Sequence, residues 1–210
     1  MKQILSKIEK VKKEQPIKAI INSRIKEFEK ILHEKNKERI FSELCFCLLT
    51  ANFQAEKSIK LQNELLQDFF KTNEQELARK LKEKGHRFWP QRASHIIKAR
   101  EHKEILHKFI LENKDPAEIR IWLAENVNGL GMKESSHFLR NIGYKDFAII
   151  DFHIVDLLVA ENLIQKPKTL TPKRYLEIEN VLKEIAKKAN LSQAELDLYL
   201  WYIETGKVLK

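Results

Sequence analysis

The stretch Val127-Asn128-Gly129-Leu130-Gly131-Met132-Lys133-Glu134-Ser135-Ser136-His137 decides how this chain is read. The chain holds only 5 Gly in 210 residues, and Gly129, Gly131 and, a little further on, Gly143 are three of them. Glycines at alternate positions let a backbone turn with φ > 0 and come close to another surface. Residues 119–127 read as a helix before them and residues 133–141 as a helix after them. The unit is therefore a helix, a Gly-x-Gly hairpin and a second helix. It offers backbone N–H groups and a helix N-terminus, which bind phosphate oxygens without reading bases. An ordinary helix–helix turn is the competing reading. A dinucleotide fingerprint fails here, because no strand precedes and Glu134 stands where its third glycine belongs. A P-loop fails too, since it needs four residues between its glycines and then Lys-Ser/Thr.

Outward from the hairpin, helical periodicity recurs in both directions. Ile40, Phe41, Leu44, Cys45, Leu48 and Leu49 form one stripe, and Phe46 with Cys47 fills the other face, so this helix is central and buried. Ala93, Ile96, Ile97, Ile105, Leu106, Phe109 and Ile110 predict one long helix over about 91–111. Tyr175, Ile178, Val181, Leu182, Ile185, Ala186 and Ala189 mark another, and Leu196, Tyr199, Leu200 and Ile203 the last. Start signals agree: Asp115-Pro116-Ala117-Glu118, Thr171-Pro172 and Ser192-Gln193-Ala194-Glu195 each place a capping oxygen before a helix. Only residues 147–150 read as briefly extended. The fold class is all-α, with roughly ten or more helices.

Composition sets outer bounds. With 43% hydrophobic and 33% charged residues the chain is globular rather than disordered. The net charge of +9 and pI of about 9.4 favour a polyanionic partner, although abundant Lys and Glu can also mark a heat-adapted surface. Cys45 and Cys47 are the only cysteines, too few for a zinc or iron–sulfur site, which points to a reducing compartment. The N-terminus is too charged for a signal peptide, and no apolar run reaches membrane length. A cytoplasmic monomer is expected.

Lys133 occupies the first turn of the second helix, where the macrodipole disfavours a cation, and a neutral amine is what attacks carbon. A lysine paired with a phosphate would stand there equally well. Asp151 opens a very apolar helix, on the face of Val155 and Leu158. The dipole at that end favours an anion. It also suits a plain N-cap, and the two roles are compatible.

Gly129-Leu130-Gly131-Met132-Lys133, followed by Asp151-Phe152-His153, resembles the helix–hairpin–helix and distal-aspartate signature of the base-excision DNA glycosylase superfamily. Glu43-Leu44-Cys45-Phe46-Cys47-Leu48-Leu49-Thr50-Ala51-Asn52, Gly85-His86-Arg87-Phe88-Trp89-Pro90-Gln91-Arg92, and Trp201 shortly before a final Lys210 resemble the type-2 8-oxoguanine DNA glycosylase/AP lyases. The iron–sulfur members carry four cysteines near the C-terminus, and this chain has none.

That resemblance implies a bifunctional enzyme acting on double-stranded DNA that carries 8-oxoguanine. Lys133 would attack C1′ and form a Schiff base, and Asp151 would stabilise positive charge on the sugar. His153, Gly129 and Gly131 would contact the DNA backbone, and Asn52 would lie near the orphaned cytosine or simply end a helix. Arg87, Phe88 and Trp89 are candidates for wedging or opposite-strand contact, with core packing the competing reading and the better one for Trp89; Arg92 is a further candidate for DNA binding. Trp201, Met132 and the α-carboxylate of Lys210 are candidates for recognising the base. Without the resemblance Trp201 could equally pack on another helix, and Lys210 would be a frayed tail. No metal is needed for the chemistry, although a monovalent cation on hairpin carbonyls fits the family. The expected arrangement is a single compact unit of two lobes about a central cleft. Residues 36–125 would form the middle lobe, and residues 1–35 with 126–210 the second. The helix–hairpin–helix at about 119–142 belongs to that second lobe, at the cleft. A helix–hairpin–helix module that only grips DNA, and a glycosylase for another damaged base, are the alternatives.

Overall fold

Thirteen α-helices and one short 3-10 turn follow one another, and no β-strand forms. The computed structural model describes residues 1–210. The first seven helices are α1 (Lys2–Lys13), α2 (Gln15–Glu34), α3 (Lys37–Thr50), α4 (Ala55–Glu64), α5 (Asp68–Lys71), α6 (Glu74–Glu83) and α7 (Trp89–Ala99). Then come the 3-10 turn Arg100–His102, α8 (Lys103–Leu111), α9 (Pro116–Asn126), α10 (Met132–Asn141), α11 (Phe152–Ala160), α12 (Pro172–Ala189) and α13 (Gln193–Thr205). Each expected cap is made. Asp115 accepts from Ala117 N at 2.9 Å, Thr171 from Arg174 N at 3.3 Å, and Ser192 with Glu195 closes a reciprocal capping box.

The chain divides into two compact units, residues 31–138 and residues 1–30 with 139–210, and the boundaries fall inside α2 and α10. The hairpin therefore groups with the middle helices rather than with the termini, which shifts the expected boundaries. Two contacts account for this: the Gly129 backbone lies against His95 of α7, and Arg120 of α9 donates to Ser136 Oγ at 3.4 Å.

In the middle unit, every residue of α3 from Ile40 to Leu49 is buried, as its all-round apolar pattern requires. α4, α7 and α8 pack around it, and α6 packs on α7. The single helix predicted over 91–111 is two helices, α7 and α8. At the join, the Arg100 guanidinium donates to the carbonyls of Phe69, Asp68 and Thr72 at 2.5, 2.7 and 2.6 Å. This fork closes the C-terminal end of α5, and the backbone tightens to 3-10 geometry where it is held.

In the other unit, α1 packs on α12 and α13. Val11, Ile21, Ile25, Phe28, Ala194, Leu198 and Tyr199 make a buried cluster. The segment over residues 147–150, read as briefly extended, is neither helix nor strand, and it is buried. Its backbone is satisfied by side chains of α12. Glu179 accepts from Ala148 N at 3.0 Å, and the Tyr175 hydroxyl donates to Ala148 O at 2.6 Å and accepts from Ile150 N at 3.2 Å. A buried polar backbone needs such partners, and here they fix the residue that follows, Asp151.

Candidate active site

The hairpin turns on one glycine. Gly129 has φ +91°, and a Cβ built there would lie 2.2 Å from His95 Nδ1. Gly131 has no positive φ, and its Cβ position meets only Glu134 Oε2, at 3.6 Å. The expectation that both glycines are needed for the turn thus narrows to Gly129. Gly131 is therefore not required by the turn, and the neighbour of its Cβ position is the Glu134 carboxylate. Leu130 N donates to Val127 O at 3.1 Å, and Ser135 N to Gly131 O at 2.9 Å, so α10 begins at Met132 directly after the turn.

Lys133 and Met132 are half-buried in the first turn of α10. Lys133 Nζ lies 3.4 Å from Glu134 Oε1. His95, beneath the hairpin, is pushed below the usual imidazole range by burial, and the charges of Arg92 and Lys98 add to that. Its ring lies against the turn at Gly129.

Asn52 follows the end of α3, exposed, with φ +57°. It takes the left-handed conformation that asparagine tolerates after a helix. The loop around it is tied down twice. Arg92 NH2 donates to Ala51 O at 2.6 Å, and His86 Nε2 bonds Leu49 O at 3.0 Å. Phe88 N donates to His86 Nδ1 at 3.1 Å, so the proton of this imidazole sits on Nε2. Burial pushes His86 below the usual range; the Leu49 carbonyl opposes this, and Arg92 adds to it. Arg92, read as a DNA-contacting residue, is only 5% exposed and holds the Asn52 loop from inside. Arg87 is exposed, and Phe88 is half-buried with the guanidinium carbons of Arg87 and Arg92 at 5.0 and 5.6 Å from its ring centre.

Asp151 is half-buried and caps α11, its Oδ1 accepting from Ile154 N at 3.0 Å. Val155 and Leu158, on the face it was assigned to, are buried. His153 is exposed, and its ring is 4.0 Å from that of Phe152, which at 67% is the most exposed large hydrophobic side chain.

Trp201 is half-buried, and its indole N–H is shielded from solvent with no hydrogen-bond partner. An unmet donor of this kind suits a ligand. α13 stops at Gly206, whose φ of +72° makes the C-terminal turn. The tail then folds back. Val208 packs on the cluster of Val11, Ile21 and Phe28, and Lys210 is half-buried rather than splayed into solvent.

Three residues with a clear part in this geometry were not singled out in the sequence: Glu134, His95 and Tyr175. Glu134 had a local signal, an acid beside the lysine in a helix's first turn. His95 and Tyr175 had none, since each acts on a segment far away in the chain. No group of three or more His, Cys, Asp or Glu able to hold a metal ion is present. No helix is long and apolar enough to cross a membrane.

A family model described as Ogg-HhH, 8-oxoguanine DNA glycosylase, matches residues 21–191. A protein of Methanocaldococcus jannaschii named 8-oxoguanine DNA glycosylase/AP lyase is 49% identical over 209 residues, covering 99% of each chain. One of the same name from Korarchaeum cryptofilum is 50% identical over 195 residues, covering 92% of each. The crystal structure of the Methanocaldococcus jannaschii glycosylase/lyase in complex with a 15mer DNA containing 8-oxoguanine aligns with a TM-score of 0.93 at 48% identity, covering 99% of this chain and 100% of that one. The 8-oxoguanine DNA glycosylase of Thermotoga maritima aligns with a TM-score of 0.94 at 40% identity, covering all of both chains.

Proposed function

This chain belongs to the 8-oxoguanine DNA glycosylase family, and from that premise we propose that it excises 8-oxoguanine from double-stranded DNA and nicks the strand, with Lys133 as nucleophile and Asp151 as the carboxylate that stabilises the sugar cation. The observation that carries the reading is local. A half-buried lysine stands in the first turn of α10, directly after a hairpin built for close backbone approach.

The chemistry follows from those parts. The target nucleotide leaves the stack so that C1′ can be reached. As the bond from C1′ to the base loosens, positive charge grows on the sugar, and a fixed carboxylate beside it lowers the barrier. Asp151 can serve because its Oδ1 is committed to Ile154 N–H, which fixes the carboxylate and leaves Oδ2 for the substrate. The Lys133 amine bonds to C1′, the base departs with the electron pair of the broken bond, and the sugar ring opens to a Schiff base. Loss of a proton from C2′ then expels the 3′ phosphate by β-elimination.

Gly129, Gly131 and His153 hold the DNA backbone; Asn52, Arg87 and Phe88 face the opposite strand. Arg92 contributes by fixing the Asn52 loop. Trp201, Met132 and the Lys210 carboxylate recognise the extruded base. The carboxylate is an acceptor-only group, matched to the N1–H and exocyclic amine of an oxidised guanine. The protein works as a monomer. A monovalent cation at the hairpin would be held by backbone carbonyls, of which Val127 O and Gly131 O already accept internal bonds, and no step passes through it.

Borohydride trapping on a duplex carrying 8-oxoguanine tests the reading. Wild type should cross-link, and Lys133→Gln should not, while binding the duplex with little change, because the phosphate grip rests on hairpin amides and other basic residues. Cross-linking of Lys133→Gln at wild-type yield would overturn the assignment. A module that only grips DNA would show no cross-link in either protein.

A further inference from the structure

Glu134 is placed to do more than complement a helix dipole. Its Oε1 lies 3.4 Å from Lys133 Nζ, and the side chain is only 18% exposed, against 26% for the lysine. Its Oε2 stands 3.6 Å from the Cβ position of Gly131, so the carboxylate folds back over the hairpin instead of reaching into solvent. Two features of its surroundings complement a carboxylate there. It sits in the first turn of α10, where the helix dipole favours an anion. The buried Arg92 guanidinium is close enough to feel its charge, which raises Arg92 against the effect of burial. No other carboxylate is paired with the amine.

We propose that Glu134 is the proton acceptor for Lys133 during Schiff-base formation. The inference rests on the assignment of Lys133 as nucleophile. Once the Lys133 ammonium has given a proton to water, attack of the neutral amine makes the Nζ–C1′ bond as the bond from C1′ to the base breaks with its electron pair on the base. Nζ, now bonded to two carbons, carries a positive charge and two protons. Transfer of one of them to a Glu134 oxygen leaves a neutral amine adduct and a carboxylic acid. The nitrogen lone pair then forms the C1′–N double bond, and the C1′–O4′ bond breaks with its electron pair on O4′, which takes a proton from water. Glu134 returns its own proton to water and is a carboxylate again. Without an acceptor in contact, the adduct loses its second proton only slowly, to water, and mostly reverts before it gains the lone pair that opens the ring.

The test uses Glu134→Gln and Glu134→Ala in single-turnover borohydride trapping on the 8-oxoguanine duplex, with duplex affinity measured alongside. Both variants should trap roughly 10²-fold more slowly, the scale of a lost general base, with duplex affinity nearly unchanged. Added formate should restore trapping in Glu134→Ala, where the missing carboxylate leaves room, and not in Glu134→Gln. Sodium chloride at the same ionic strength should restore neither. A purely structural role would move affinity or melting temperature and would not respond to formate. Trapping at the wild-type rate in either variant, or no response of Glu134→Ala to formate, overturns the proposal. Lys133→Gln separates the two readings. If it loses the cross-link while the Glu134 variants keep theirs, Lys133 stands and Glu134 falls; if it keeps the cross-link, the nucleophile assignment itself falls.

Discussion

The two segments that present Lys133 and Asp151 are built on opposite plans. The hairpin before Lys133 is made by backbone: one glycine with φ +91°, two turn hydrogen bonds and a helix that starts at once. The segment before Asp151 is made by side chains. Residues 147–150 run through a core outside any helix, and Tyr175 and Glu179 reach across from α12 to satisfy them. A backbone-built site leaves its N–H groups on the surface, free for phosphate. A side-chain-built site spends its polar groups internally and yields one rigidly placed carboxylate. A nucleophile that meets a moving polymer suits the first plan, and a fixed charge suits the second.

Catalysis should feel the second plan most directly. Asp151→Asn should slow base release on the order of 10²–10³-fold, the usual cost of losing one preorganised electrostatic group. Asparagine caps helices nearly as well as aspartate, so the melting temperature should hold. Single-turnover excision measures the rate, and circular dichroism checks the fold. A folded Asp151→Asn protein with the wild-type rate would remove Asp151 from the mechanism and leave it a plain cap.

The same contrast explains what could be read from the chain. The hairpin was legible because its cause is local: glycine spacing, a flanking helix on each side and a lysine in the first turn all lie within one stretch. The helix starts at Asp115, Thr171 and Ser192 were legible for the same reason. The support for Asp151 was not. Tyr175 lies on a clean apolar stripe and reads as core, and its hydroxyl serves a backbone 25 residues away. The break between α7 and α8 was hidden likewise, since apolar periodicity continues through it and its partners lie 28 to 32 residues upstream of Arg100. Arg92 was a DNA-binding candidate by resemblance, and only the fold shows it facing inward to Ala51 O. The roles of Trp201 and Lys210 came from resemblance; the unmet indole N–H is the structure's own contribution.

If the hairpin is backbone-built, its two glycines should separate in their effects. Gly129→Ala puts an L side chain at φ +91° and drives its Cβ into the His95 ring. The left-handed conformation alone costs about 1–2 kcal/mol, and the displaced ring adds to that. Gly131→Ala meets only ordinary contact with Glu134 and should change stability by less than about 0.5 kcal/mol, as for a surface substitution. Its effect belongs on DNA affinity, where a methyl group would hold a phosphate away. Denaturant unfolding and duplex binding, measured on both variants, test this. Equal stability of the two would mean that the turn does not depend on Gly129.

A last variant tests the side-chain plan. Tyr175→Phe removes a hydroxyl that donates to Ala148 O and accepts from Ile150 N, and leaves both backbone groups buried without that partner. Such a loss costs about 1–3 kcal/mol, which for a chain of this size lowers the melting temperature by roughly 2–4 °C per kcal/mol. The ring itself remains, so packing of α12 is kept and the loss can be assigned to the two hydrogen bonds. Base release should slow as well, by less than in Asp151→Asn, because the carboxylate is still present on a looser support. On the proposed mechanism, trapping at a preformed abasic site needs the Lys133 amine and no departure of a base, so it should slow less than base release does. Calorimetry and the two kinetic assays, run on one variant, give all three numbers. A Tyr175→Phe protein that melts and turns over like wild type would show that Glu179 alone supports the segment, and that the hydroxyl is incidental to Asp151.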